Sequence, residues 1–310
     1  MRRMASVKDA ERLEEVMRYH ERSKHHFFRF APGPDRLDWA NQPDPFRRFA
    51  GAPLTRLPLL APQDEPRPPD YESLYARGAA AAAALDLRAL SRLFEYALAL
   101  SAWKQAGGTR WALRANPSSG NLHPTEGYLL IDSIPELGEL PGLFHYAPRE
   151  HALERRADCP PGLYARLLRG FPPQAFLVGL SSVYWREAWK YGERAFRYCQ
   201  HDAGHALGAL RIAAATLGWS ARVLDEAADD TLDALLGLER DADFEGAERE
   251  HAELAIALWP GNAAAETSSL DADAVSELKA ARWYGRANRL SADDPVPWEA
   301  IDGVAGASRK

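Results

Sequence analysis

Predicted strands and helices alternate irregularly along this sequence, and that order limits the possible folds more than any single motif does. Apolar spacing and short apolar runs predict helices over 8–19, 88–103, 186–217 and 229–236, and strands over 126–132, 143–146, 151–153, 174–184, 219–225 and 253–259. No Gly-x-Gly-x-x-Gly turn follows a predicted strand, which argues against a Rossmann-bound nicotinamide. Because a regular βαβ alternation is also missing, we predict an α+β fold with a central, mainly antiparallel sheet flanked by helices and an irregular N-terminal extension.

The composition is that of a globular protein that works in a reducing compartment. The chain has 310 residues, 46% of them hydrophobic, which is enough for a substantial core. Its two cysteines, Cys159 and Cys199, cannot supply a disulfide framework for a chain of this size. The sequence contains neither an apolar signal segment nor a stretch long enough to span a bilayer, so we expect a cytoplasmic protein without a membrane partner. A net charge of -6 argues against general nucleic-acid binding.

The first part of the chain, residues 1–70, differs in composition from the rest. After the first predicted helix it is rich in proline, histidine, arginine and aromatic residues, which is too aromatic for a disordered linker. We therefore expect it to wrap over a main domain at 71–302, which is followed by a C-terminal tail at 303–310. Its three histidines lack cysteines or a spaced acidic partner, so we expect no metal site.

Residues 116–124 form a polar turn that runs directly into a predicted strand. The hydroxyls of Ser118 and Ser119, the flexible Gly120 and the carboxamide of Asn121 lie between prolines that stiffen the chain. Such a loop can present donors and acceptors to the rim of a flat heteroaromatic ligand. Turns of this composition are common, however, so composition alone assigns no function to the loop.

A second pattern is a basic stripe on the predicted helix over 186–217. The stripe consists of Lys190, Arg194, Arg197, His201 and His205, whose spacing places them on one helical face. This face is either exposed to solvent, as charged helix faces usually are, or the wall of a cleft that holds an anion or an anionic reduced cofactor. His201 and His205 also have the spacing of a zinc-binding pair, a minority hypothesis because a zinc site needs a third ligand.

With the loop and this helix, the chain resembles the FMN-dependent nitroreductase superfamily, and within it the SagB-type branch that includes azoline dehydrogenases. The resemblance covers roughly residues 71–302 and implies a nitroreductase-like fold with bound FMN. It implies flavin contacts for four loop residues, Pro117, Ser118, Ser119 and Asn121. Lys190 and Tyr191 are similar to the catalytic Lys-Tyr pair of azoline dehydrogenases. In that role Tyr191 would be the acid/base, and the charge of Lys190 would lower its pKa.

The resemblance also assigns residues outside the loop. Asp202 and His205 lie in a segment typical of the SagB-type branch, and Arg289 resembles the basic residue that holds the FMN phosphate. The sequence departs from the family over residues 74–84, where an alanine-rich run replaces an Arg-Arg-Ser-x-Arg element and only Arg77 could substitute. Loss of these charge-assisted hydrogen bonds would weaken FMN binding by several kcal/mol.

Three functions are compatible with the sequence. The leading hypothesis is an FMN oxidoreductase that oxidises a small molecule or an azoline in a modified peptide. The second is an NAD(P)H-dependent nitro or quinone reductase, and the third is a flavin-free binding or scaffold protein. The resemblance implies a homodimer, because nitroreductase sites are usually built between two subunits. Many SagB-type relatives instead carry two such domains in one chain, and this sequence has room for one.

Overall fold

The computed structural model describes residues 7–61, 69–76, 78 and 80–310. Its helices are α1 (Val7–Arg22), α2 (Leu87–Ala97), α3 (Pro161–Leu167), α4 (Tyr184–Tyr191), α5 (Ala195–Thr216), α6 (Asp229–Leu236), α7 (Ala272–Leu278) and α8 (Glu299–Ser308). Its strands are β1 (Phe49–Ala50), β2 (Leu54–Arg56), β3 (Leu100–Ala106), β4 (Thr109–Arg114), β5 (Thr125–Ile131), β6 (Gly142–Ala147), β7 (Ala152–Asp158), β8 (Phe176–Ser182), β9 (Trp219–Val223), β10 (His251–Pro260) and β11 (Arg286–Ala287). None of the helices in this part of the chain combines the length and apolar character that crossing a bilayer requires.

A seven-stranded sheet forms the centre of the molecule. Its strand order is β2-β7-β6-β5-β8-β10-β9, and each neighbouring pair is antiparallel. Every residue of β5, β6 and β8 is buried, because helices cover both faces of the sheet. One face packs on α2 and α5, and the other packs on α3, α6 and α7. The predicted α+β fold with an antiparallel sheet between helices is confirmed.

The helix predicted over 88–103 is shorter than expected. It ends at Ala97, and Leu100–Ala106 forms strand β3, which pairs with β4 in a separate two-stranded sheet. The turn between them consists of Gly107 and Gly108, with φ of 54° and 84°. Glycine adopts such angles without steric cost, so this pair closes a tight hairpin. The apolar spacing that predicted the helix continues into β3, which explains why the predicted helix extended too far.

The helix predicted over 186–217 is interrupted. It divides into α4 and α5 at a 3₁₀ turn over Gly192–Arg194. Gly192 has a φ of 54° and a ψ of -129°, and a Cβ at this position would lie 2.6 Å from Cα of Gly33. The chain therefore bends where another segment comes into backbone contact. As a result, Lys190 lies on α4, Arg194 lies in the 3₁₀ turn, and Arg197, His201 and His205 lie on α5.

The N-terminal segment is joined to the main body by hydrogen bonds and by strands. The hydroxyl of Tyr19 on α1 donates to the carbonyl oxygen of Glu193 at 2.6 Å, and Arg22 forms an ion pair with the Glu193 carboxylate. Further along, β1 pairs with β11 and β2 pairs with β7. The residues at 303–310 continue α8 through Ser308, and α8 packs on α1.

Candidate functional site

The conformation of the loop over 116–124 is held by hydrogen bonds within the loop and to β4. Gly120, Asn121 and His123 have φ of 60°, 61° and 52°, and for the two residues that are not glycine this conformation is uncommon. The Asn121 amide donates to the carbonyl oxygen of Ala112 at 2.8 Å, and its oxygen lies 3.0 Å from Nε2 of His123. The backbone N–H of His123 donates to Oγ of Ser118 at 2.8 Å. These bonds fix a backbone that would otherwise be strained.

Asp202 on α5 holds the same loop through hydrogen bonds. Its buried carboxylate accepts hydrogen bonds from the backbone N–H of Ser119 at 3.0 Å and from the Ser119 hydroxyl at 3.1 Å. Burial raises the pKa of Asp202, and the hydrogen bonds from Ser118 and Ser119 oppose that effect. The loop and α5 therefore form one unit.

Lys190 and Tyr191, at the end of α4, meet the loop at Gly120. A Cβ on Gly120 would lie 2.6 Å from the Tyr191 hydroxyl and 2.9 Å from Nζ of Lys190. Both side chains are half-buried, and Nζ of Lys190 is 5.4 Å from the centre of the Tyr191 ring. Burial raises the pKa of Tyr191, and the Glu187 carboxylate acts in the same direction. This direction is opposite to the lowered pKa that the resemblance implied for Tyr191.

Glu187 is a residue of this site that sequence analysis missed. It is fully buried, and within the described part of the chain neither oxygen of its carboxyl group has a hydrogen-bond partner. Burial raises its pKa well above the usual range, the nearby Asp202 adds to this effect, and Lys190 opposes it. The signal was its spacing of three and four residues before Lys190 and Tyr191, which places all three on one face of α4.

A buried chain of ionic groups supports the loop from the sheet side. Arg186 on α4 forms an ion pair with Glu126 and donates to the carbonyl oxygen of His123 at 2.9 Å. His145 lies between two carboxylates, 3.0 Å from Glu126 and 3.0 Å from Glu154. Burial alone would lower the pKa of His145, but these two hydrogen bonds outweigh it and raise that pKa to about 9. The chain of charges therefore holds the end of the loop against β5.

The structure brings together most of the predicted site residues. Those that meet around Gly120 are Ser118, Ser119, Asn121, Lys190, Tyr191 and Asp202. Pro117 is exposed beside them, and Nδ1 of the exposed His205 is 4.0 Å from the Asp202 carboxylate. The guanidinium of Arg289 donates to the carbonyl oxygen of Ser291 at 2.8 Å and to Asp294 at 2.9 Å. Arg77 lies outside the described residues.

Two residues of the predicted basic stripe hold the N-terminal segment instead of forming a cleft wall. The guanidinium of Arg194 contacts Nε2 of His25, and that of Arg197 donates to Oγ of Ser23 at 2.8 Å. His201 and His205 remain exposed on α5. In the described residues no group of three or more histidine, cysteine or acidic side chains is arranged to hold a metal ion.

Comparison with solved structures identifies the fold of this chain. No protein-family model matches the sequence, and no curated protein matches it. A solved structure described as a nitroreductase from Anabaena variabilis is 26% identical over 79% of this chain, with a TM-score of 0.59. The chain has a nitroreductase-like fold. This nitroreductase-like chain spans 46% of the length of the Anabaena protein.

Two further solved structures are more distant from this nitroreductase-like chain. One, described as a nitroreductase from Ralstonia eutropha, is 18% identical over 76% of this chain and 98% of its own length, with a TM-score of 0.48. The other is the E. coli microcin synthetase McbBCD complex with truncated pro-MccB17 bound. It is 18% identical over 85% of both chains, with a TM-score of 0.45.

Proposed function

We propose that this chain is an FMN-dependent oxidoreductase of the nitroreductase type, with its reactive site where loop 116–124 meets Lys190 and Tyr191. The nitroreductase-like fold supports an oxidoreductase. The observation that carries the proposal is the approach of the Lys190 ammonium and the Tyr191 hydroxyl to the same loop residue, Gly120. A phenol and a cation that meet at a partly exposed, hydrogen-bonded loop are suited to a proton transfer beside a bound ring.

The chain's own residues would position the substrate and move a proton. When bound, FMN would supply the hydride chemistry that side chains cannot perform. In azoline oxidation the substrate loses a hydride and a proton, so Tyr191 would be the base and the nearby Lys190 ammonium would stabilise its phenolate. In nitro or quinone reduction Tyr191 would instead give its proton, the direction that its raised pKa favours. Asp202 would keep the loop in place through its bonds to Ser119.

The donor set of the site fits a flavin in part. The half-buried Lys190 and Tyr191 can face a ring edge, since their polar ends converge on Gly120. The side chains of Ser118, Ser119 and Asn121 already have partners within the chain, so they would shape the loop more than they would bind a ligand. Flavin contacts from this loop would then come mainly from its backbone and from the exposed Pro117.

The substrate proposal is an azoline in a modified peptide. Its support is the Lys190-Tyr191-Gly192 sequence, which is similar to the catalytic pair of azoline dehydrogenases. An NAD(P)H-dependent nitro or quinone reductase would use the same site. Oxidation of NADPH by the purified protein in the presence of a quinone would favour the reductase, and its absence together with azoline oxidation would favour the dehydrogenase.

One observation favours a second candidate function, a flavin-free binding protein. The polar side chains of the loop are bonded within the chain, and Arg289 is engaged by Asp294 and Ser291. A protein whose Arg289 is engaged in this way would bind the FMN phosphate weakly. Purified protein without absorbance in the flavin region, and without quenching of FMN fluorescence on titration, would support this second function.

The deciding experiment is a set of three single substitutions measured for FMN binding and turnover. In the FMN oxidoreductase, Tyr191→Phe would lower kcat by about 10²-fold or more while FMN affinity stays the same, because a general acid or base contributes this much. Lys190→Ala would lower kcat in the same way. Tyr75→Phe is the matched control, since it removes an exposed phenol hydroxyl elsewhere. Unchanged turnover in both site variants would rule out the proposed pair.

A further inference from the structure

The β3–β4 hairpin stands apart from the central sheet and leaves one backbone edge free. It forms a two-stranded sheet of its own, and every residue of β3 after Leu100 is exposed. Ala106 and Thr109 face each other across the two-residue turn, so their backbone groups pair between the strands, and those of alternate residues do the same. The N–H and C=O groups of Trp103 and Gln105 point the other way. Among the described residues no strand pairs with this edge, which makes it a template for a further strand.

A groove of about 610 Å³ lies beside the start of this edge. Four consecutive residues of β3, 100–103, contribute to its lining and no residue of β4 does, which places it on the side that faces away from β4. The opposite wall contains Arg56, Leu59 and residues 148–151. Because Leu59 is exposed, the groove offers an apolar contact as well as a strand edge. An extended peptide is the ligand that uses both.

The charged groups of the groove leave positive charge unpaired. Of its two acids, Glu95 accepts a backbone hydrogen bond at 3.1 Å and Glu150 forms an ion pair with Arg48 at 2.6 Å. Arg56 and Arg149 line the same groove, and neither forms an ion pair within the described part of the chain. Both are exposed. An acidic ligand would therefore meet free cations here, although the chain as a whole carries a net charge of -6.

The side chains of the hairpin add to this pattern. The guanidinium of Arg110 lies 4.3 Å from the centre of the Trp103 ring, and Lys104 lies opposite Trp111 on the other face. Residues 100–114 include no acid. Each face of the hairpin thus carries one indole and one cation, which suits a ligand strand with apolar and acidic side chains.

The hairpin ends in the reactive loop. The N–H of Ala115, directly after β4, donates to the carbonyl oxygen of Ala99 at 2.9 Å, and the Asn121 amide donates to that of Ala112 at 2.8 Å. Hydrogen bonds therefore join the free strand, the hairpin and loop 116–124. A peptide held on β3 lies within a few strand spacings of the loop, since neighbouring strands are about 4.8 Å apart.

We propose that the groove binds an extended, acidic stretch of a peptide substrate, which pairs with β3 as a third strand. The inference rests on the function proposed above for the identity of the peptide as a substrate, whereas binding itself requires no flavin. Backbone hydrogen bonds to Trp103 and Gln105 supply the affinity, and Arg56 and Arg149 select acidic side chains. The modified part of the same peptide then reaches the loop from the hairpin.

The first test uses peptides and the full chain without flavin. A fluorescein-labelled peptide of about ten alternating valine and glutamate residues should bind with a Kd below about 1 mM in fluorescence polarisation. Its counterpart with lysine in place of glutamate should bind at least about tenfold more weakly, because it meets like charges. Methylation of alternate backbone nitrogens, in either register, removes the N–H groups of one strand edge. At least one of the two methylated forms should lose affinity by about tenfold or more.

Variants of the groove give a second, independent result. Gln105→Pro removes an outward N–H at a position where an edge strand tolerates proline, so it should weaken binding of the acidic peptide by about tenfold. Gln105→Ala keeps the N–H and should bind like wild type. Arg56→Gln combined with Arg149→Gln should weaken binding by about fivefold, since each exposed ion pair contributes little. Arg286→Gln, which changes an exposed arginine on β11, is the matched control.

Equal affinity for the acidic and the lysine peptide, or full binding of both methylated forms, would overturn the proposal. A dimer that Gln105→Pro converts to a monomer, in a protein that does not bind the acidic peptide, would do the same, since a second copy would then occupy the groove. The proposed function fails separately, if the protein that binds the peptide neither binds FMN nor oxidises an azoline. Conversely, an unchanged KM for an acidic azoline peptide in Gln105→Pro and in the double arginine variant would keep that function and exclude the groove from it.

Discussion

Gly192 occupies a backbone conformation that residues with side chains rarely adopt, and it does so in a crowded place. Its φ of 54° and ψ of -129° end α4 directly after Tyr191. A Cβ here would come within 2.6 Å of Cα of Gly33 and 2.9 Å of the Trp298 ring. Neither neighbour can move without displacing a backbone segment or a packed indole. The conformation of Gly192 therefore determines where α4 ends and how Lys190 and Tyr191, its last two residues, are placed.

Replacement of Gly192 by alanine should destabilise the protein and disturb the site. We expect a loss of at least about 2 kcal/mol in the free energy of unfolding, from backbone strain and overlap together. Gly208→Ala is the control, because Gly208 lies within α5 with nothing within 4 Å of its would-be Cβ. Alanine there should stabilise the protein by up to about 1 kcal/mol. Urea unfolding of both variants checks this, and equal stabilities would contradict it.

At the scale of single residues, the sequence identified polar side chains of the site but did not predict which of them are buried. Lys190, Tyr191, Ser119 and Asp202 were singled out by their motifs, and the structure places them together. Burial of the charged Glu187 was not predicted, because charged residues on a helix usually face water. What buries it is the packing of α4 against α5, a contact between two helices that spacing along one helix cannot show.

At the scale of elements, the ionic chain through His145 ties three strands together. Glu126, His145 and Glu154 lie on β5, β6 and β7, side by side in the sheet. All three are buried, and each carboxylate also has an arginine partner. Burial raises the pKa of Glu126, but Arg186 and His145 outweigh this effect and lower that pKa to about 2. The ionisation of each of these three side chains therefore depends on that of its neighbours in the sheet.

The His145 interaction should make stability depend on pH in the alkaline range. The folded pKa of about 9 lies above the unfolded value near 6.5, so the contribution is complete below about pH 6.5 and is lost as pH rises through 9. At pH 6, His145→Gln should cost about 3 to 5 kcal/mol, because it leaves two buried carboxylates with one fewer partner. The deficit should shrink by pH 10.

Urea unfolding of His145→Gln at pH 6, 8 and 10 measures this dependence. His201→Gln, which changes an exposed histidine on α5, serves as the control and should differ little from wild type at each pH. A deficit for His145→Gln that stays constant from pH 6 to pH 10 would show that His145 is uncharged in the folded protein.

The elements that the sequence predicted well are those with a strong apolar pattern of their own. The strands that became β5, β8 and β10 and the helix over 229–236 appear close to their expected positions. The β3–β4 hairpin was missed although Gly107-Gly108 is a strong turn signal, because the apolar spacing of the preceding helix continued into β3. The break at Gly192 was missed for a different reason, since it depends on contact with Gly33, far away in the sequence.

At the scale of the whole molecule, a single copy of the chain leaves one side of the candidate site open. The loop residues Pro117 and Gly120 are exposed, and so are His201, Gly204 and His205 on the neighbouring turn of α5. The chain also spans 46% of the length of its Anabaena neighbour. A second copy of the chain could supply the missing side.

The oligomeric state is directly measurable. We expect a homodimer, so light scattering coupled to size exclusion should give twice the chain mass of 34.4 kDa. Gly204→Arg places a long charged side chain on the exposed face of α5 beside the loop, where no atom within 4 Å would hinder it in the monomer. It should therefore shift the mass toward 34.4 kDa without lowering the Tm of the isolated chain. A wild-type protein that is already monomeric would contradict the prediction.

The contact between Gly192 and Gly33 also links the two ends of the first two thirds of the sequence. Residue 33 leaves the ribosome long before α4 does, yet the two segments are in backbone contact in the folded chain. Tyr19, Arg22 and Arg197 join the N-terminal segment to the same bend. A change in the N-terminal segment can therefore reach the reactive pair without touching the sheet that lies between them in the sequence.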